Sequence, residues 1–224
     1  VDSVDVFSYI RAIEGAGYFD PVTISEDDCK RNATYMENKR RQELAGTMES
    51  YDDFLRSLRM EAEIAAFRPL YFDRIAQLTN KSNQFNLTTR RYTRADIERM
   101  ANEPRYITLY GRLTDKFGDN GLISVVVGEK RECSLHICLW LMSCRVLKRG
   151  MEQMMLDELA ARAAADGCKE LIGYYYKTAK NKMVADLYGT FGFEKIAQDG
   201  DDTVWRLNLA EYQKQGRFIS LRKP

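Results

Sequence analysis

Residues 133–176 read CSLHICLWLMSCRVLKRGMEQMMLDELAARAAADGCKELIGYYY, and the fold turns on how this stretch is parsed. From Cys133 to Cys144 the side chains are mostly apolar, β-branched or aromatic, which marks a long strand buried on both faces. The period then changes. Met151, Met155, Leu159 and Ala163 recur on one helical face, and Gly167 stands where that helix must end. KELIGYYY returns to strand composition. Strand, helix and strand at this spacing form a crossover, so the two strands run parallel with the helix packed against them.

Working outward, YITLYGRL (106–113) alternates as a strand, DKFGDNG is a hairpin connection and GLISVVVG is a second strand. Downstream, NKMVADLYGTFG reads as a helix closed by Gly192. FEKIAQ and TVWRLNL follow as a hairpin turned by DGDD. Upstream, Leu70, Phe72, Ile75 and Leu78 share one helical face. FNLTTRRY is expected as a short strand, and TRADIERMA as a helix capped by Thr93 with Asp96 at the reciprocal position. Residues 1–66 read as charged and helical. Pro21 breaks the helical pattern at Asp20, and Ser50 with Asp53 starts a helix. The expectation is an α/β (α+β) chain, a mixed twisted sheet flanked by helices over residues 67–224, preceded by a small helical segment over 1–66.

The chain has 224 residues, 45% of them hydrophobic, with 34 basic and 33 acidic residues giving a net charge of +1. That balance offers no general attraction for nucleic acid or an anionic membrane, and RRYTR is too short for a nucleic-acid patch. No apolar run approaches the ~20 residues that span a bilayer, and the first residues lack signal-peptide character. Five cysteines without a CxxC pair fit a reduced, cytoplasmic protein better than a disulfide framework. A single histidine, His136, makes a His-based metal site or a Ser-His-Asp triad improbable. His136 reads as a core or face residue. Tyr174, Tyr175 and Tyr176 read as strand formers, and Asp199, Asp201 and Asp202 as a turn.

One segment resists this parsing. NQFNLTTRRYT (83–93) carries far more hydrogen-bonding groups than apolar ones. Asn83, Asn86, Thr88 and Arg90 have two readings: contact with a polar ligand, or satisfaction of backbone groups between elements.

The element order, the Arg149-Gly150 pair opening a helix, and the ending Leu187, Tyr188, Gly192, Phe193 resemble the GNAT (Gcn5-related N-acetyltransferase) fold. NQFNLTTRRYT, DKFGDNGLISVVV, LMSCRVLKRGME and KTAKN, in that order, resemble more narrowly the C-terminal part of FkbH-like proteins, over about residues 68–209. EDDCKRNATYMENKRRQEL is similar to the tail that follows that family's HAD-type domain. The resemblance implies loading of a small acyl group onto an acyl carrier protein, in polyketide or polysaccharide biosynthesis, beside a HAD-type phosphatase-like domain upstream. The one literal match to the HAD pattern Asp-x-Asp-x-Thr, DGDDT at 199–203, falls on the hairpin turn read above.

The resemblance also implies a site. Arg145, Lys148, Arg149, Gly150, Met151 and Asn181 are its expected cofactor residues, taking the pyrophosphate of CoA or the phosphate of phosphopantetheine at a helix N-terminus. Tyr188 is its expected general acid, protonating the leaving thiolate while N–H groups of the central strand hold the oxyanion. Asn83, Asn86, Thr88, Arg90, Asp115, Asp119 and Ser143 are its expected acyl or acceptor contacts, and no metal is expected. Glu152 and Met154 depart from the family, which prefers small residues there. A carboxylate ~6 Å from a phosphate charge costs roughly 3 kcal/mol at an effective dielectric of ~20. Three functions follow: an acyltransferase using a carrier or CoA thioester, a catalytically silent carrier-docking module, or an acetyl-CoA-dependent N-acetyltransferase. Each residue keeps a plainer reading beside these: Glu152 suits the helix dipole, Tyr188 is packing, Asp115 and Asp119 form turns, and Cys144 is structural.

Overall fold

The computed structural model describes residues 31–222. The expectations on residues 1–30, including the break at Pro21, lie outside them. The chain divides into two compact units, residues 1–43 and 44–224. The described part of the first lies in helix α1 (Arg31–Gly46).

The second unit is built on an eight-stranded sheet of order β6-β7-β5-β4-β3-β2-β1-β8. Its strands are β1 (Met60–Ala65), β2 (Tyr106–Asp115), β3 (Gly118–Arg131), β4 (Ser134–Met142), β5 (Glu170–Tyr175), β6 (Glu194–Asp199), β7 (Asp202–Asn208) and β8 (Ile219–Leu221). Only β4–β5 and β1–β8 pair in parallel. Helices α2 (Tyr51–Ser57) and α5 (Met151–Ala165), with the single turn α6 (Leu187–Thr190), contribute to one apolar core, and α3 (Phe72–Lys81) and α4 (Arg94–Asn102) to a second. Cores on both faces explain why Leu122–Val127 of β3 reads as an almost unbroken apolar run.

The local signals act as expected at several ends. Ser50 Oγ accepts the Asp53 amide of α2, and Thr93 and Asp96 close a reciprocal cap on α4. Gly167 ends α5 with φ +81°, a conformation costly for any residue with a Cβ. Gly111 of β2 lies directly beneath Met151 and Met155 of α5. A side chain at position 111 would push the helix off the sheet.

Five expectations are corrected. Met60–Ala65 is a strand, not the end of a helical segment reaching residue 66. Its Met, Ala and Glu residues favour helices intrinsically, yet the Glu side chains alternate with buried positions as a strand requires. Leu70 is 81% exposed, in a 3-10 turn before α3, rather than on the buried face with Phe72, Ile75 and Leu78. Phe85–Tyr92 forms no strand but one isolated bridge, Asn86 to Leu141. NKMVADLYGTFG is a 3-10 turn followed by the four residues of α6. Finally, β2 turns into β3 at Lys116-Phe117, since Asp115 already pairs with Gly118.

One strand was not anticipated. After β7 the chain runs along α5, tied by the buried Asp157 carboxylate. Oδ1 accepts from the Tyr212 hydroxyl at 2.5 Å and the Gln215 amide at 2.9 Å, and Oδ2 from the Gly216 amide at 2.9 Å. This strap delivers Ile219–Leu221 to the outer edge of β1.

Candidate functional site

The parallel pairing of β4 and β5 stops early. Ser134–Ile137 match Glu170–Gly173, after which the strands diverge. Divergence leaves the edge of β4 from Cys138 to Met142 with backbone groups that something must satisfy. NQFNLTTRRYT does so. The Leu87 amide donates to the Trp140 carbonyl at 3.1 Å, and the Met142 amide donates to the Phe85 carbonyl at 3.0 Å. Thr88 Oγ1 donates to the Cys138 carbonyl at 2.9 Å. On the other side, the Tyr176 amide donates to the Leu87 carbonyl at 2.9 Å.

Two buried asparagines brace the insert. Asn181 Nδ2 donates to the carbonyls of Asn86 (3.0 Å) and Tyr176 (2.9 Å), and its Oδ1 accepts the Thr178 amide at 2.8 Å. Asn86 Oδ1 accepts the Thr89 amide at 2.8 Å, where the chain turns with φ +52°. Asn86, Thr88 and Asn181 are thus brought together, as structure rather than as ligand contacts. Leu87 is wholly buried and Phe85 nearly so. Withdrawing the segment would expose both side chains and break several bonds, on the order of 8 kcal/mol. That approaches the whole stability of a typical domain. The insert is packed as part of the core.

The basic loop is also turned inward. Arg149 is buried, its guanidinium held by the Asp115 carboxylate at 3.4 Å and the Arg145 carbonyl at 3.1 Å. Asp115 Oδ1 also accepts the Phe117 amide at 2.9 Å. Arg145 is exposed, with Nε donating to Ser143 Oγ at 3.3 Å. Met151 is core. Lys148 (φ +63°) and Gly150 (φ +91°) bend the chain into α5, and the first helical turn then supplies its own anion. Glu152, 7% exposed, accepts the Lys148 amide on Oε1 at 3.0 Å. Oε2 has no hydrogen-bond partner. Burial raises the Glu152 pKa, against the pull of its own amide and those of Lys148 and Gly150. An incoming pyrophosphate would meet a carboxylate already seated among these amides. The residues do not fit free CoA.

Tyr188 is fully buried. Its ring packs against Phe193 at a centroid distance of 4.9 Å, with Trp140 and Trp205 at 6.1 and 6.4 Å. Its phenol end lies over Gly173 of β5, where a Cβ would collide with it. No group meets the hydroxyl in good hydrogen-bond geometry, and burial pushes its pKa far above the ordinary 10, against a smaller opposite pull from the nearby Tyr174 backbone. Tyr188, expected as the general acid, is packed in the core with its phenol sealed from solvent. The Met142 amide, an N–H of the central strand, is already given to Phe85.

What remains open lies beyond the filled gap. A cleft of about 600 Å³ is formed by Lys81, Asn83 and Gln84 with Phe85, by Met142 and Cys144 past the end of β4, and by Ala179 and Lys180 after β5. It sits outside the carboxyl ends of two parallel strands, where open α/β sheets take their ligands. Asn83 Oδ1 accepts from Arg91. A second cleft, about 610 Å³, runs past Lys148, Gly150 and Gln153 to Phe191 and the strap residues Arg217 and Phe218. Arg90 is exposed, and Asp119 pairs with Arg112 at 2.7 Å. Lys81, Gln84 and Lys180 were missed by the sequence reading, although Lys180 stands in the KTAKN motif quoted for the resemblance. Among the described residues no group of His, Cys, Asp and Glu is arranged to hold a metal, and no helix is long and apolar enough to cross a membrane.

No protein-family profile matches the chain, and no curated protein matches it. Solved structures do. The chain is similar to the ribosomal-protein-S18-alanine N-acetyltransferase of Escherichia coli, with TM-score 0.50 and 12% identity over 66% of this chain and 94% of that one. It is similar to the GNAT domain of PAT from S. lividans, with TM-score 0.50 and 10% identity over 65% and 89%. It also matches a domain from Methanocaldococcus jannaschii, with TM-score 0.52 and 10% identity over 66% and 99%. At these identities the likeness is one of fold: the helix-flanked mixed sheet is a GNAT fold.

Proposed function

We propose that the chain is the GNAT-fold part of an FkbH-type protein and serves as a docking module for an acyl carrier protein, without transferring acyl groups from free CoA. One observation carries this reading: the edge of β4 that would hold a thioester's amides and oxyanion is paired with Phe85–Thr88. The inward-facing Arg149, Glu152 and Tyr188 support it. In this reading the phosphoryl chemistry belongs to a HAD-type domain upstream, and the acyl group, glyceryl-like or acetyl, stays on the carrier's thiol while the module holds the carrier. Acyl transfer from a carrier thioester is the second reading, favoured by the open cleft outside the ends of β4 and β5.

Calorimetry with CoA, acetyl-CoA, and a carrier protein in its apo and holo forms tests the proposal. Binding of the holo carrier with no measurable heat from CoA is expected. Micromolar CoA binding overturns it, as does turnover with acetyl-CoA. Turnover with the acyl-carrier thioester alone establishes the second reading.

A further inference from the structure

The cleft beyond the filled gap has an uneven charge. Lys81 and Lys180 are the charged residues among those lining it. Both are exposed, and among the described residues neither ammonium is engaged in a hydrogen bond or ion pair. They come from separate elements, Lys81 from the last turn of α3 and Lys180 from the loop after β5. Between them in the lining stand two amide side chains, Asn83 and Gln84, and an apolar floor of Phe85 and Met142. Asn83 spends its oxygen on Arg91, which leaves its amide hydrogens for a ligand. Two cations, amide groups and an apolar floor suit a chain that begins in a phosphate, continues through amides and ends in an apolar or thiol terminus. A cleft of this size falls within the usual range of small-ligand sites.

We propose that the cleft between Lys81 and Lys180 receives the phosphopantetheine arm of the carrier, its phosphate held by the two lysines and its first amide by Asn83 and Gln84. The assignment rests on the docking reading above and locates it. It also explains how the module can take such an arm while the edge of β4 is closed.

Cys144 gives a direct readout, because it lines the cleft and is exposed, whereas the equally exposed Cys133 lies outside it. Alkylation by N-ethylmaleimide, followed peptide by peptide, is measured with 4′-phosphopantetheine or pantetheine, both S-methylated so that the ligand's own thiol does not consume the maleimide, or with inorganic phosphate present. The expected result is slowing of Cys144 but not Cys133 by 4′-phosphopantetheine. Protection by pantetheine should need roughly tenfold more ligand, the loss expected for a charge-assisted contact. In Lys81→Ala/Lys180→Ala, which changes only exposed side chains, 4′-phosphopantetheine should protect no better than pantetheine. Three results overturn the assignment: unaltered Cys144 labelling at saturating 4′-phosphopantetheine, an undiminished advantage of 4′-phosphopantetheine over pantetheine in the double variant, or equal protection by inorganic phosphate, which would make the cleft a simple anion site. If the double variant still binds holo carrier like the wild type, the cleft assignment fails and the docking reading stands. If the wild-type protein binds no carrier, the docking reading fails, and the small-ligand titration still decides the cleft.

Discussion

Replacing Tyr188 with Phe separates a catalytic from a packing role at one atom. The ring is enclosed by Phe193, Trp140, Trp205 and Gly173, so Phe fits the same space. What disappears is a hydroxyl that is buried without a hydrogen-bond partner. Such a group gives up its hydration on folding and recovers nothing, a cost of about 1–3 kcal/mol. The substitution should therefore stabilise the protein by about 1 kcal/mol, allowing for incomplete relief. For a domain of this size that raises Tm by roughly 2–4 °C. Differential scanning calorimetry, with urea unfolding as a second measure, reads the effect. A fall in Tm of several degrees would show that the hydroxyl holds a bond in solution and would refute the reasoning. A 100-fold loss of acyl transfer at unchanged stability would restore the general-acid role.

Two further substitutions probe the basic loop. Arg149→Ala removes the cationic partner seen at Asp115, whose side chain is fully buried and keeps its other contacts. It should cost about 3 kcal/mol of unfolding free energy by urea titration, as breaking a buried pair does, and a variant as stable as wild type would return Arg149 to a ligand role. Glu152→Gln keeps an acceptor for the Lys148 amide and deletes the buried charge. Because the folded pKa of Glu152 is raised above its ordinary 4.5, the native state binds the proton more tightly, and wild-type stability falls as pH rises through the folded value. The variant should be the more stable at pH ~7.5, with the difference closing as pH falls toward the ordinary carboxylate value. Urea titrations at both ends of that range check it, and a less stable Gln variant at the higher pH would contradict the account of the loop.

Much of the fold was legible because its signals are local. Thr93 and Asp96 sit three residues apart, and the face of Met151, Met155, Leu159 and Ala163 repeats within one helix. The β-α-β parse of 133–176 needed nothing beyond the change from strand to helix period. What escaped depends on distant partners. Asn86 and Asn181 are 95 residues apart, and nothing near either one announces that each completes the other. The polarity of NQFNLTTRRYT was read correctly as hydrogen-bonding capacity. Satisfaction of backbone groups was one of its two readings, but which groups was hidden, because they belong to a strand edge that exists only after β4 and β5 have diverged. Tyr188 was placed by motif, but its burial is set by Trp140 and Trp205 from two other strands. Met60–Ala65 failed for a different reason: its helix-forming residues masked a strand pattern that pairing with β2 reveals.

The strap along α5 has a consequence for how the domain is made. Within this sheet β1 precedes every other strand in the chain, yet its outer neighbour β8 follows them all, and the two are joined through Met60–Ile219, Glu61–Ser220 and Ala62–Leu221. During translation the outer edge of β1 stays unpaired until Ile219–Leu221 has emerged, with some 150 intervening residues already able to fold. A nascent chain halted after β7 would hold an otherwise complete sheet with a bare strand edge, the kind of surface that recruits other chains. Its protection during synthesis falls to a chaperone, or to the speed with which the final turn of chain wraps into place.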